Sequence, residues 1–266
     1  MGFLKNIFKK DTNITDNINE DSTKSRIEEL EENVNNNIIL QNNSKTDYKD
    51  LDIFARVIMT QPEYSQYENA KRDFSVDYIG ACNKYIPNKE VTSIFSTFFY
   101  DYLIEHVNSF LYEYGAPKYV ENIKKLVENT QIKLDIDWDN YNNKEPKYQE
   151  ALIDILTTEI NQSLAGKGKI LFGINIGDPS ALFFITDINN YNVLALRNSN
   201  FYSLYDIDYY SQFYGEIFKL NEDISDKLKR LDYIEKKGDK YTTLFNGEIL
   251  KYTDNDIQES KLTKIL

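Results

Sequence analysis

The sequence predicts an α+β protein: a helical layer packed on an antiparallel sheet, with a flexible N-terminal arm. Apolar side chains in residues 88–114 recur every three or four positions, which is the period of an amphipathic helix. In residues 169–206 they alternate between short turn signals, which is typical of an antiparallel β-meander. Residues 1–47 are polar and have few side chains to bury. A helical pattern followed by a run of strands is typical of α+β architecture.

The predicted arm covers residues 1–47 and is rich in Asn and acidic residues. A short amphipathic stretch, residues 1–10, opens it. Its apolar face comprises Phe3, Leu4, Ile7 and Phe8. Its basic side chains are Lys5, Lys9 and Lys10. This pattern fits a membrane anchor, a docking peptide or a frayed terminus. Residues 22–40 predict a lone helix with too few heptads for a coiled coil.

A core domain is expected over residues 48–220, and residues 88–114 are its predicted central helix. Asn88 can cap the start of this helix, Gly115 suits its C-terminal turn, and Pro117 forbids continuation. Its apolar face comprises Val91, Ile94, Phe95, Phe98, Phe99, Tyr102, Leu103, Val107, Phe110, Leu111 and Tyr114. Burying each side chain contributes roughly 1.5–3 kcal/mol, so other elements should pack on this helix.

Further elements follow from the same two periods. Helices are predicted near residues 51–59, 64–74, 77–85, 117–129, 145–164, 209–220 and 222–231. Strands are predicted at residues 132–139, 170–176, 181–185, 192–197 and 201–205. Residues 181–185 are apolar on both faces, which suits a central strand. A hairpin near residues 233–244 completes a helix-plus-hairpin appendage, residues 221–266, whose last part should fray.

Composition restricts the function classes. The net charge of −12 argues against bulk nucleic-acid binding, which needs a basic face, and permits a basic protein partner. Cys82 is the only cysteine, so an internal disulfide is excluded and a reducing cytoplasm is expected. No apolar run is long enough to span a membrane, so membrane contact is considered only for residues 1–10. Abundant Asn, Ile, Lys and Tyr suggest the AT-rich genome of a bacterium or phage.

Three aspartates form the one candidate metal site. Asp135, Asp137 and Asp139 alternate along the predicted strand 132–139, so their carboxylates would share one face. A calcium loop would next need Gly at position 140 and Glu at position 146, where Asn140 and Pro146 stand. A solvated strand face is therefore the main interpretation, and a cation site is the alternative. No cofactor is predicted.

The glycines at positions 166 and 168, with their neighbouring lysines, do not form a phosphate loop. A phosphate loop follows a strand and opens a helix, and here the predicted order is reversed. An enzyme would depend on His106, the only histidine, or on carboxylates. His106 lies on the apolar stripe of residues 88–114, which favours a structural role at the core or its boundary. Pairing with Cys82 as a nucleophile is the catalytic alternative.

Residues 221–252 resemble the last helix and wing of winged-helix domains. The matching positions are Leu228, Leu231, Tyr233, Ile234, Gly238, Asp239, Tyr241, Gly247, Glu248 and Leu250. The resemblance implies DNA contacts by Lys227, Lys229, Arg230, Lys236, Lys237 and Lys240. Only one helix is predicted before this segment where the family has two, and acidic residues interrupt the basic ones.

The β-meander, with Gly177 and Asp178 at a turn, is similar to that of small acidic immunity modules of the SMI1/KNR4 type. That likeness implies binding of a protein partner without chemistry. A non-enzymatic, cytoplasmic protein-interaction module is therefore the leading hypothesis. A DNA-binding regulator and an enzyme using carboxylates or His106 are the alternatives.

Overall fold

The computed structural model describes residues 48–113, 119–177, 180–197, 199–205, 215–225, 228–238, 240–243, 257 and 261–265. Side chains at residues 144–151, 177, 237 and 243 are not described. The fold is α+β, with two antiparallel four-stranded sheets and several helices, as the sequence predicts. The predicted arm, residues 1–47, lies outside the described residues.

The described helices are α1 (Lys49–Ile58), α2 (Gln61–Val76), α3 (Tyr78–Tyr85), α4 (Phe95–His106), α5 (Tyr119–Asn129), α6 (Trp138–Ala165) and α7 (Ile188–Ala195). Their starts follow from local chemistry. Thr60 and Glu63 form a reciprocal capping box at α2. The Asp77 carboxylate accepts the Gly80 N–H at α3, and the Asp137 carboxylate accepts the Asn140 N–H at α6.

The first sheet contains β1 (Phe110–Glu113), β2 (Lys169–Gly177), β3 (Ser180–Asp187) and β4 (Ser203–Leu204). Their spatial order is β1-β3-β2-β4, and every pairing is antiparallel. The prediction of a central strand at residues 181–185 is confirmed, because β3 has a strand on each side. Its side chains alternate between two separate cores: Leu182 and Phe184 enter one, Ala181 and Phe183 the other.

Helices cover both faces of this sheet. Helices α1 to α4 and α7 contribute to the core on the face of Leu182 and Phe184. On the opposite face, α5 and α6 share a core with β1, with Phe183 and with strands of the second sheet. Helix α4 supplies fully buried Phe98, Phe99 and Leu103 to the first core. The expectation that one sheet face packs on the central helix is therefore confirmed.

The central helix is much shorter than predicted. It spans Phe95–His106, residues 88–94 are not helical, and Phe110–Glu113 is strand β1. At its start, the hydroxyl of Thr92 accepts the Ile94 N–H, which satisfies the backbone locally. Beyond its end, β1 gains backbone hydrogen bonds by pairing with β3. Tyr114 and the predicted terminating residues lie outside the described part.

Two predicted strands are absent from the first sheet. Residues 192–197 fall largely within α7, so the predicted continuous meander is interrupted by a helix. Residues 132–137 are irregular and residues 138–139 open α6, because Asp137 caps that helix instead of occupying a strand. Apolar alternation over so few residues fits an irregular segment that packs Ile132, Leu134 and Ile136 against the core as readily as a strand.

A second sheet was not predicted. It contains β5 (Glu216–Leu220), β6 (Tyr233–Lys237), β7 (Lys240–Thr243) and β8 (Leu262–Lys264), in the order β7-β6-β5-β8. The predicted hairpin is present, with Gly238 at a positive φ of 64° in its turn. The helix predicted at residues 209–220 is wrong for 216–220, which form β5, and residues 209–214 lie outside the described part.

The second sheet also joins the two predicted C-terminal units. Its strand β5 belongs to the predicted core domain, whereas β6, β7 and β8 belong to the predicted appendage, so the boundary at residue 220 falls within one sheet. The end of the chain does not fray throughout, since β8 pairs with β5 and Ile265 is buried in the shared core. Within the described residues, no helix has both the length and the apolar character needed to cross a membrane.

Candidate functional site

Most of the large apolar side chains that are exposed in the described part of the chain lie at one corner of the molecule. Of the six that are exposed in the described part of the chain, five lie between positions 76 and 94. They are Val76 (84% exposed), Tyr78 (41%), Ile79 (49%), Val91 (49%) and Ile94 (61%). We call these five side chains the 76–94 surface. Scattered single apolar residues are normal on a protein surface, whereas a group of them indicates a binding site.

Local contacts bring the two halves of this surface together. The Cys82 thiol of α3 donates a hydrogen bond to the Thr92 carbonyl at 3.5 Å, which fixes the loop before α4 against α3. Tyr78 and Ile79 precede Cys82 by four and three residues, so they lie one helical turn away on the same side. Val91 and Ile94 flank Thr92 in the loop. The surface therefore surrounds the junction of α3 with this loop.

Aromatic packing supports the surface from below. The Phe74 ring lies 5.5 Å from Phe95 and 4.6 Å from Phe98, and it also contacts Tyr78 at 6.3 Å. Phe95 and Phe98 are buried, so Tyr78 and the residue before Phe95, Ile94, are attached to a packed aromatic base. A rigid base favours binding, because less conformational entropy is lost when the exposed groups are covered.

Charges next to the 76–94 surface are largely paired. The Asp73 carboxylate accepts hydrogen bonds from Lys84 at 2.9 Å and from the Tyr85 hydroxyl at 2.8 Å. These donors hold the pKa of Asp73 below its ordinary value. Asp77 and Glu90 add exposed carboxylates at the edge. The centre of the surface is thus apolar, and its edge carries the carboxylates of Glu90 and of Asp77, which also caps α3.

A shallow cavity of about 400 Å³ lies beside α4. It is lined by Ser96, Thr97, Tyr100, Asp101, Ile104, Ile176, Asn200 and Phe201. Burial raises the pKa of the Tyr100 phenol to about 12, so the phenol is a neutral donor, and it bonds the Phe201 carbonyl. Burial also raises the pKa of the Asp101 carboxyl, an effect opposed by Lys89 at 3.9 Å. Among the described residues that line the cavity, Asp101 is the one carboxylate, and none is a histidine or cysteine.

We expect the Asp101 carboxyl to make the free energy of unfolding slightly dependent on pH. Since its native pKa is raised, its contribution to stability is greatest below its ordinary value of 3.8 and is lost as the pH rises through the native value. Replacing Asp101 with Asn should therefore stabilise the protein relative to the wild type progressively as the pH rises above about 3.8, by less than about 1 kcal/mol because the site is partly solvated. Urea unfolding of both proteins at each pH measures this difference, and a pH-independent difference would contradict it.

His106 is not in the apolar core. It is exposed, its ring lies 4.4 Å from that of Tyr102, and its Nε2 lies 2.6 Å from the Tyr85 carbonyl. A carbonyl oxygen can only accept a hydrogen bond, so Nε2 is the protonated ring nitrogen and donates a hydrogen bond to the Tyr85 carbonyl. Cys82 is buried and its thiol contacts Thr92. The structure thus gives both residues structural contacts and does not place His106 in the cavity beside α4.

The three aspartates of the candidate metal site do not form a ligand cluster. Asp137 caps α6 and Asp139 lies in its first turn, whereas Asp135 precedes the helix in an irregular segment. No group of three His, Cys, Asp or Glu side chains suited to a metal occurs among the residues that the structure describes. The shared strand face on which the prediction depended is absent.

The residues implied by the winged-helix resemblance lie in a different setting from the one expected. The hairpin that the resemblance assigns to the wing is formed by β6 and β7, but described residues 222–225 and 228–231 form bends, a turn and irregular backbone instead of a helix. Lys229 pairs with Asp223 at 3.3 Å, and the Arg230 N–H also bonds Asp223. Lys236 lies over the Tyr241 ring, and Lys240 is exposed. Lys227 and the Lys237 side chain lie outside the described part.

Comparison of the chain with protein-family models, curated proteins and solved structures finds no match in any of the three. The class that the fold defines is therefore an α+β protein with two antiparallel sheets. Any functional statement has to come from its own surfaces.

Sequence reasoning missed the 76–94 surface. The helical pattern places Val91 and Ile94 on the buried face of the predicted long helix, and their exposure follows from the absence of helix at residues 88–94. Val76, Tyr78 and Ile79 lie around the junction of α2 with the short helix α3, where periodicity carries little information. The available signal was the number of apolar residues in 76–94 that no single helical stripe could accommodate.

Proposed function

We propose that this chain is a non-enzymatic protein-interaction module of a bacterial or phage cytoplasm, and that it binds its partner through the 76–94 surface. The observation that carries the proposal is the concentration of exposed apolar side chains at one corner: Val76, Tyr78, Ile79, Val91 and Ile94. An immunity-type module, which acts on a protein by binding alone, is the form that the resemblance of its β-meander suggests.

The energetics support binding at this corner. Removing an exposed aliphatic side chain from water contributes roughly 1.5–3 kcal/mol, and each 1.4 kcal/mol changes a dissociation constant tenfold. Covering Val76, Ile79 and Ile94 together contributes favourably to binding, and further contacts around them must offset the rest of the association cost, about 4–15 kcal/mol. Because the neighbouring Asp73 is paired with Lys84, we expect a partner surface that is mainly apolar, with basic groups facing Asp77 and Glu90.

The test compares variants of the full-length chain. Tagged wild type should recover one reproducible protein from source cells, and the double variant Ile79→Asp/Ile94→Asp should lose it. Leu196→Asp is the matched control, because Leu196 is also exposed, at 48%, but lies outside the 76–94 surface. With the purified partner, calorimetry should show affinity at least about a hundredfold weaker for the double variant and unchanged for the control.

Two results would contradict the proposal. One is equal affinity of the double variant and the wild type for the purified partner. The other is loss of binding in the Leu196→Asp control, which would place the interface elsewhere. Circular dichroism of each variant checks that the fold is retained.

A further inference from the structure

We infer that the chain's own N-terminal segment, residues 3–10, covers the 76–94 surface when no partner is bound. The inference rests on the proposed function in assigning binding to this surface, and it does not require that a partner has been identified. Three observations carry it: the point where the described chain begins, the side-chain pattern of residues 3–10, and the chemistry of the edge of the surface.

The described chain begins beside the 76–94 surface. Tyr48, its first residue, packs its ring 4.5 Å from Phe95 and 5.9 Å from Phe201. Phe95 directly follows the exposed Ile94 and contacts Phe74, which in turn contacts Tyr78. Residues 1–47 are therefore attached at a point adjacent to the exposed apolar corner.

The side-chain pattern of residues 3–10 matches that corner. Phe3, Leu4, Ile7 and Phe8 have the spacing that places them on one face of a helix. An amphipathic helix that lays such a face on an apolar surface is a common recognition mode. The segment also contains Lys5, Lys9 and Lys10, which complement exposed Asp77 and Glu90 at the edge of the surface.

The intervening chain is long enough. Residues 11–47 are mainly polar in composition, and even with the helix predicted at residues 22–40, which rises about 1.5 Å per residue, a chain of this length can span about 35 Å. This span is long enough for residues 3–10 to reach the 76–94 surface from Tyr48. A tether of this length corresponds to a millimolar-scale effective concentration, so weak intrinsic affinity is enough for substantial occupancy.

The occupied state makes residues 3–10 an internal competitor. A partner that uses the 76–94 surface must displace them, and its apparent affinity is reduced by the fraction of chains that are covered. A variant with Leu4→Asp and Ile7→Asp should therefore bind the partner more tightly than the wild type does, whereas Ile79→Asp/Ile94→Asp binds it more weakly.

Paramagnetic relaxation in the full-length chain tests the inference directly. A nitroxide is attached to Asn6→Cys with Cys82 left in place, because that thiol is buried and holds the loop through Thr92, and mass spectrometry confirms that each chain carries one label. Isoleucine methyl signals are then recorded with the nitroxide oxidised and reduced. We expect the Ile79 and Ile94 signals to lose at least half of their intensity, while those of Ile160 and Ile217, buried in the other core, are retained. Adding Leu4→Asp and Ile7→Asp should restore both signals.

Three outcomes would overturn the inference. The first is no broadening at Ile79 and Ile94, and the second is equal broadening of all isoleucines. The third is broadening of the same size in a mixture of two kinds of chain, one isotope-labelled without nitroxide and the other carrying the nitroxide without isotope label. That result would identify a second copy as the occupant. None of these affects the partner-binding comparison, so failure of this inference is distinguishable from failure of the proposed function.

Discussion

Replacing Asn161 with Ala is expected to lower the free energy of unfolding by about 2–6 kcal/mol, because two buried backbone groups lose their partner at roughly 1–3 kcal/mol each. The Asn161 side chain of α6 donates to the Leu171 carbonyl at 2.9 Å and accepts the Leu171 N–H at 2.7 Å. Asn161 is 2% exposed, so water does not readily replace it. Urea unfolding followed by circular dichroism measures the loss.

The topology explains why this amide matters. Among the described residues, strand β4 pairs with β2 at Ile174 and Asn175, and no described strand lies beside β2 at Leu171. Asn161 continues the hydrogen-bond ladder past the end of β4 and closes that edge. Asn161→Asp at neutral pH should lose at least as much as Asn161→Ala, since it removes the donor to the Leu171 carbonyl and buries an unpaired carboxylate. Asn175→Ala, at a partly exposed amide, is the matched control, and a loss equal to that of Asn161→Ala would contradict this account.

Replacing Asp52 with Ala should cost about 3 kcal/mol, the lower end of the range for breaking a buried charge pair. The Asp52 carboxylate of α1 is 4% exposed, accepts the Tyr67 hydroxyl at 2.8 Å and pairs with Lys71. Burial, together with this carboxylate, raises the pKa of Tyr67, so the phenol remains a donor. In Asp52→Ala, the hydroxyl of the fully buried Tyr67 would lose its hydrogen-bond acceptor.

Thermal or urea unfolding distinguishes the parts of this network. Asp52→Asn keeps an acceptor for Tyr67 but removes the charge that faces Lys71, so it should lie between the wild type and Asp52→Ala. Asp73→Ala breaks the more exposed pair with Lys84 and should cost clearly less, because solvent screens that pair. Equal losses for Asp52→Ala and Asp73→Ala would show that burial does not set the strength of these interactions.

Elements with a single strong period could be predicted from the sequence. Helices α1 and α5 carry well-formed apolar stripes, and strand β3 is apolar on both faces, so their existence and type follow from patterning. Strands β5 and β8 could not be found, because their partners are distant in the sequence and their register depends on tertiary packing.

Residues 88–114 show where local reasoning fails. Aromatic and aliphatic side chains at positions 110–112 fit a helical stripe, yet Phe110 and Leu111 gain more by pairing with Phe183 and Leu182 of β3. The same failure hid the candidate site, because Val91 and Ile94 become exposed only once residues 88–94 leave the helix. Exposure of an apolar residue depends on what the rest of the fold does, and residue type alone does not determine it.

Amide hydrogen exchange of the purified complex tests the central claim, that the 76–94 surface is where this protein binds its partner. The account predicts that binding slows exchange most strongly between residues 76 and 94, with the Ile94 amide among the slowed sites and little change in β6 and β7. Unchanged exchange across residues 76–94, with protection concentrated on the second sheet or on the cavity beside α4, would contradict it.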